Sequence, residues 1–160
     1  MAVHTFTAEF ESPIAPARLF NASVLHLHEI AHKVMPVLVK SGAIVEGDGG
    51  VGTIKEYLFT EVLPFKNVKE RIEELDKEKF ACKYSIVEGG TLGTKYKSFV
   101  NKVWFEPSGN GGSICKMEGE VESLESVQYT EEDKEESKEG SLATYKAVDE
   151  YLQANPDVFA

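Results

Sequence analysis

The sequence predicts an α+β domain in which a curved antiparallel sheet wraps one dominant C-terminal helix. Three observations carry this. Seven segments read as β-strands, six of them follow one another with only short connectors, and one long helical stretch closes the chain. Short connectors force an antiparallel meander, because a parallel crossover needs a dozen residues or more. The 160 residues fit a single domain, 1–160, long enough to bury a core of its own.

The elements follow in order. Residues 3–11 put Phe6, Ala8 and Phe10 on one face and Thr5, Thr7, Glu9 and Glu11 on the other, the alternation of a half-buried strand ended by Ser12-Pro13. Residues 15–25 and 27–34 read as two short helices, the second stopped before Pro36. Strands are expected at 41–46, 53–61, 65–75, 79–88, 94–106 and 113–123, separated by glycine, proline and Asp-Lys turns. Within 113–123, Cys115, Met117 and Val121 share the apolar face; within 79–88, Phe80, Cys82, Tyr84 and Ile86 do. The inward rows are mixed elsewhere, with Lys55, Asn67, Tyr84 and Asn101 in register with Phe59, Phe65, Ile86 and Val103. A packed core rarely accepts such groups, since each costs a few kcal/mol if left unsatisfied. A hollow interior accepts them. The closing helix, 130–155, has a stripe of Leu142, Tyr145, Val148, Tyr151 and Leu152 in its second half, and Asn155-Pro156 stops it. Its opening, EEDKEESKEGS, holds no large apolar residue, so that part is expected to lack an anchor and to open locally.

Composition narrows the function classes. The formal net charge is −10, from 17 Lys+Arg against 27 Asp+Glu, with no cluster of basic residues. That disfavours nucleic acid and anionic membrane surfaces as partners. No stretch approaches the ~20 apolar residues that span a bilayer, and MAVHTFTAEFESP has neither a basic start nor an apolar run of a leader peptide. Cys82 and Cys115 form no metal or disulfide spacing, so a cytoplasmic protein with reduced thiols, a monomer or weak dimer, is expected.

Two motifs invite chemistry. His28-Glu29-Ile30-Ala31-His32 is a literal H-E-x-x-H, which on a helix would present two histidines to zinc with the glutamate as base. No further histidine follows His32, the host helix is short, and His26 and Lys33 mark a solvated segment, so no metal is expected. Gly47, Gly49, Gly50 and Gly52 place four glycines in six positions. No lysine follows Gly52 and no helix begins there, so a hairpin turn is favoured over a phosphate loop. Catalytic residues and cofactors are not indicated.

EGDGGVGTIKEY, then Pro64-Phe65-Lys66, LDKEKFACKYSIVEGGTLG and the closing AVDEYL together resemble the plant pathogenesis-related class-ten proteins, the Bet v I family of major pollen-allergen homologues; ESPIAPARLF resembles the same family. The likeness covers essentially the whole chain. It implies a seven-stranded antiparallel sheet gripping the long helix, two short helices set in a V, and a large apolar cavity between them. Residue by residue, it implies a ligand-binding wall of Lys55, Tyr57, Phe59, Phe65, Asn67, Tyr84, Ile86, Asn101, Val103, Gly140 and Thr144. Ser23, Asn67, Cys82 and Asn101 depart from the bulkier or aromatic residues frequent in the family, which implies a roomier and more polar cavity. The function implied is binding and storage or carriage of amphipathic plant metabolites: flavonoids, other phenolics, cytokinins, steroid-like hormones and fatty acids. The alternative is an enzyme, either a weak ribonuclease involving Asp149 and Tyr151, with Lys97 where a glutamate is expected, or a condensing enzyme using Lys55.

Overall fold

In the computed structural model, which describes residues 2–160, alternating strand sequences become one seven-stranded antiparallel sheet. The elements run β1 (Ala2–Ser12), α1 (Pro16–Phe20), α2 (Leu27–Val34), β2 (Val39–Glu46), β3 (Ile54–Phe59), β4 (Asn67–Asp76), β5 (Ala81–Gly89), β6 (Tyr96–Pro107), β7 (Ser113–Ser123) and α3 (Glu131–Ala154). The strand order is β1-β7-β6-β5-β4-β3-β2, a meander from β2 to β7 that the first strand closes by pairing with the last. Register shifts in β2, β4 and at the start of β6 are the bulges that bend such a sheet around a helix.

The β1–β7 pairing shows why the alternation matters. Phe6 lies opposite Gly119, in the inward row of Cys115, Met117 and Val121, all buried. A Cβ at Gly119 would stand 2.0 Å from the Phe6 ring. The missing side chain is therefore the space the ring fills.

The helical stretch expected over 15–25 resolves into two pieces. Pro16 opens α1, where its absent N–H costs nothing. From Asn21 to Leu25 the turn widens to π geometry, with His26 N donating to Asn21 O at 2.9 Å. Arg18 then reaches across the molecule. Its Nε donates to Val158 O (2.9 Å) and its Nη2 to Leu152 O (3.1 Å) and Asn155 O (2.9 Å), placing a cation on the carbonyls at and beyond the end of α3.

Tyr145, Val148 and Leu152 of α3 are buried as its stripe predicts, while Leu142 and Tyr151 pack partly buried against the core. At the start of α3 polar contacts take the place of an apolar stripe. This segment carries no apolar anchor, yet it is held. Thr130 and Asp133 form a reciprocal capping box, Lys95 Nζ lies 2.5 Å from Asp133 Oδ1, Tyr96 and Ser137 hydroxyls are 3.2 Å apart, and Tyr129 just ahead of it stacks on His4 at 3.9 Å.

The glycine loop is a strand–strand turn with its N–H groups spent internally. Gly49 N donates to Thr53 Oγ1 (2.8 Å), Gly50 N to Asp48 Oδ1 (3.0 Å) and Gly52 N to Ile72 O (2.8 Å). Gly47, Gly49 and Gly52 have positive φ, whereas Gly50 does not. Gly52→Ala should therefore cost on the order of 1 kcal/mol in urea unfolding and Gly50→Ala only a few tenths; equal losses would show that the left-handed conformation is not what the loop requires.

Candidate functional site

The front of α3 is thin where it crosses the sheet. Ser137, Gly140, Ser141 and Thr144 leave a gap above β4, β5 and β6 that no large side chain fills. The result is a hollow of about 420 Å³, adjoined by a smaller one of about 120 Å³ that runs towards the π turn and α2. Phe59, Val68, Glu70, Tyr84 and Thr144 line both. The rim of the larger hollow is formed by residues 90–95 of the β5–β6 connection and the early turns of α3.

Of the wall residues expected from sequence, Lys55 and Tyr57 line the smaller hollow, and Phe65, Ile86, Asn101 and Gly140 the larger. Two do not line either. Asn67 bonds through Nδ2 to Glu56 (2.9 Å) and Glu88 (3.3 Å) on the opposite face. The strand begins at Asn67, and Phe65 reaches the hollow from the preceding loop, so the alternation does not carry from 65 to 67. Val103 is fully buried but belongs to the packed core, opposite Cys82 and Met117.

Glu70 was the group that sequence reading missed, although it sits in the inward alternation Val68, Glu70, Ile72. It is the cross-strand neighbour of Lys55, and both side chains face the interior. Burial pushes the Glu70 carboxyl up to about 7, with Lys55 opposing that shift. Lys55 is 4% exposed, and its ammonium is already committed, donating to Val24 O at 2.8 Å and Leu25 O at 3.4 Å at the end of the π turn. Burial pulls the Lys55 pKa down while Glu70 supports its charge.

A hydroxyl network sits beside this pair. Asn101 Nδ2 donates to Tyr84 Oη at 3.1 Å and to Ser141 Oγ at 3.4 Å, and Tyr145 donates to Tyr84 Oη at 3.5 Å. Burial raises the pKa of both tyrosines, so they stay neutral. Asn101 Oδ1 and Ser23 Oγ are buried with no partner among the described residues. Cys82 faces the smaller hollow as a neutral thiol, pushed by burial to about 12.

The other motif stays outside the hollow's chemistry. His26 Nδ1 pairs with Glu29 Oε2 at 2.7 Å, His32 is exposed, and among the described residues no group of three ligating side chains converges on a point. Asp149 is likewise occupied, accepting hydrogen bonds from Ser12 Oγ and, at 3.0 Å, from Gln153 Nε2.

The family model of the pathogenesis-related protein Bet v 1 family matches residues 1–155. The chain is 38% identical over 159 residues to the major strawberry allergen Fra a 1.04 of Fragaria ananassa, covering 99% of each. It is 39% identical over 157 residues to the probable intracellular pathogenesis-related protein T1 of Catharanthus roseus, covering 98% of this chain and 99% of that one. Among solved structures, Ara h 8.0201 superposes with a TM-score of 0.83 at 29% identity, over 96% of this chain and 99% of the other. Norcoclaurine synthase from Thalictrum flavum superposes with a TM-score of 0.77 at 22% identity, over 95% and 87%, a likeness of fold.

Two expectations follow. A carboxyl raised from 4.5 to about 7 holds its proton more tightly folded than unfolded, so its contribution is complete below about pH 4.5 and is lost as pH rises to about 7. Glu70→Gln should therefore gain on the order of 2 kcal/mol relative to the parent between about pH 4.5 and about pH 7.5, read from urea midpoints; parallel profiles would mean that the carboxyl is solvated. Lys95→Ala should speed amide exchange over residues 131–137 by about threefold to tenfold while leaving 145–152 unchanged; an unaltered rate would mean the capping box alone holds the start of α3.

Proposed function

The chain belongs to the pathogenesis-related protein Bet v 1 family, and from that premise we propose that it is an intracellular defence- or stress-related protein that binds, stores or carries amphipathic small molecules in the hollow between sheet and helix. The observation that carries this reading is the hollow itself, about 420 Å³ with an apolar wall of Phe59, Phe65, Val68, Ile86 and Phe99 and a few convergent polar groups. Flavonoids and other phenolics, cytokinins, steroid-like hormones and fatty acids have the size and amphipathic character for it. Burying about 300 Å² of apolar ligand surface gives about 7 kcal/mol at roughly 25 cal/mol per Å². The freedom lost on association offsets part of this, so micromolar affinity also needs the polar contacts that the wall offers. The naming of a relative as an intracellular pathogenesis-related protein supports the location and the defence role.

Catalysis is the second reading, favoured by one observation: a carboxyl poised near neutrality beside a buried lysine. Lys55 argues against it, since the main-chain carbonyls of Val24 and Leu25 accept from its ammonium and so favour the charged form, which cannot attack a carbonyl substrate. Ribonuclease chemistry fares worse. The glycine loop offers no free N–H at Gly49, Gly50 or Gly52, and Asp149 is tied to Ser12.

The neutral dye Nile red should fluoresce on binding the native protein at about micromolar strength and be displaced by phenolics, which should also raise the melting temperature. A folded protein that neither enhances the dye nor is stabilised by any of these compounds would refute the binding reading. Steady turnover of an amine with an aldehyde, lost in Lys55→Ala, would favour the enzyme instead.

A further inference from the structure

The polar wall of the hollow is unbalanced, and the imbalance selects a ligand. Its acidic group, Glu70, is surrounded by Lys55 and Tyr57 of β3, Cys82 and Tyr84 of β5 and Tyr145 of α3. The one cation among these makes no close ion pair with it: Lys55 donates instead to Val24 O and Leu25 O and acts on Glu70 only through space. No side-chain or main-chain donor among the described residues makes a hydrogen bond to the Glu70 carboxylate. Asn101 repeats the pattern, its N–H2 turned to Tyr84 and Ser141 and its Oδ1 buried without a donor. The interior therefore holds a partnerless amide oxygen and a carboxyl without a hydrogen-bonded counter-ion, while its cation is directed at main-chain carbonyls. At the rim, Lys95 faces two carboxylates, Asp133 at 2.5 Å and Glu136 at 3.5 Å, so no free positive charge awaits an acid there either. A net charge of −10 adds a long-range field that draws cations and repels anions.

Resting on the reading that the hollow is a ligand site, we infer that it is built for amphipathic cations, in which an apolar skeleton fills the larger hollow and an amine or protonated nitrogen heterocycle sits against the Glu70 carboxylate. The same arrangement disfavours fatty acids and other carboxylates, which would bring a second negative charge beside Glu70 with no free cation to receive it. Because burial holds Glu70 near neutrality, a bound cation also draws off its proton, and amine binding strengthens as pH rises through about 7.

The test uses three compounds with one skeleton, 2-(2-naphthyl)ethylamine, 2-(2-naphthyl)ethanol and 2-naphthylacetic acid, each competing with Nile red on the full chain. The amine should displace the dye at about tenfold lower concentration than the acid at about pH 8, with the alcohol between them. Between about pH 6 and about pH 8 the amine's affinity should rise, and Glu70→Gln should lower the ratio of amine to alcohol affinity by about tenfold and flatten that rise. Should Glu70→Gln fail to fold, the order of the three compounds on the parent protein still decides. Dye and alcohol binding with equal competition by amine and acid, or an amine-to-alcohol ratio that Glu70→Gln leaves intact, overturns the charge selectivity while sparing the cavity. Absence of binding by the dye and all three compounds removes the cavity reading and this inference with it.

Discussion

The whole arrangement depends on α3 being thick at one end and thin at the other. Its rear half presents Tyr145, Val148 and Leu152 to the sheet, all buried, and there the interior is filled. Its front half presents Ser137, Gly140, Ser141 and Thr144, which cannot reach the strands beneath. A sheet of seven strands curled round one helix encloses more volume than such a helix occupies. Collapse is prevented because the helix is fixed at both ends: by Arg18 on its C-terminal carbonyls, and by the capping box with Lys95 at its start. The hollow is thus a consequence of side-chain size held in place by polar clamps.

That geometry explains why polar groups survive inside. Lys55 serves as a structural cation, neutralising the carbonyl end of the π turn and tying α1 and α2 to the sheet. Tyr84, Asn101, Ser141 and Tyr145 satisfy one another across three elements. Glu70 stands apart as a part-buried carboxyl with no hydrogen-bond donor from the described residues, beside the partnerless Asn101 Oδ1 and Ser23 Oγ. Groups of that kind are retained at a cost in stability, and a cost of that sort concentrates where a ligand is received.

Much of the fold was legible. Strict alternation in 113–123 and 79–88 identifies inward faces that the structure reproduces at Cys115, Met117, Val121 and Cys82. The helical stripe and Asn155-Pro156 place α3 to within a residue or two. The candidate site was legible in part, because Lys55, Tyr57, Phe59, Tyr84 and Asn101 sit in regular strands where parity holds. Parity is lost at β4: the strand begins at Asn67, so alternation extended back to the loop residue Phe65 points Asn67 inward and hides Glu70. The hold on the start of α3 was illegible for a different reason. Lys95, Tyr96 and His4 lie far away in sequence, and no local periodicity records a contact made by polar groups across such distances.

The pairing of β1 with β7 sets the order in which the molecule is assembled. Among the described residues, 2–12 find their only ladder partner in 113–123, so the Phe6 ring has no glycine to lie on until β7 exists. The hairpins from β2 to β7 join neighbours in sequence and form at small entropic cost, whereas closing the first strand onto the last spans most of the chain. During synthesis β1 therefore stays unpaired, its apolar face uncovered, until residues 113–123 have been made. The charged residues Glu9 and Glu11, on the face that stays outward, are the features of that strand that keep it from pairing with another chain while it waits.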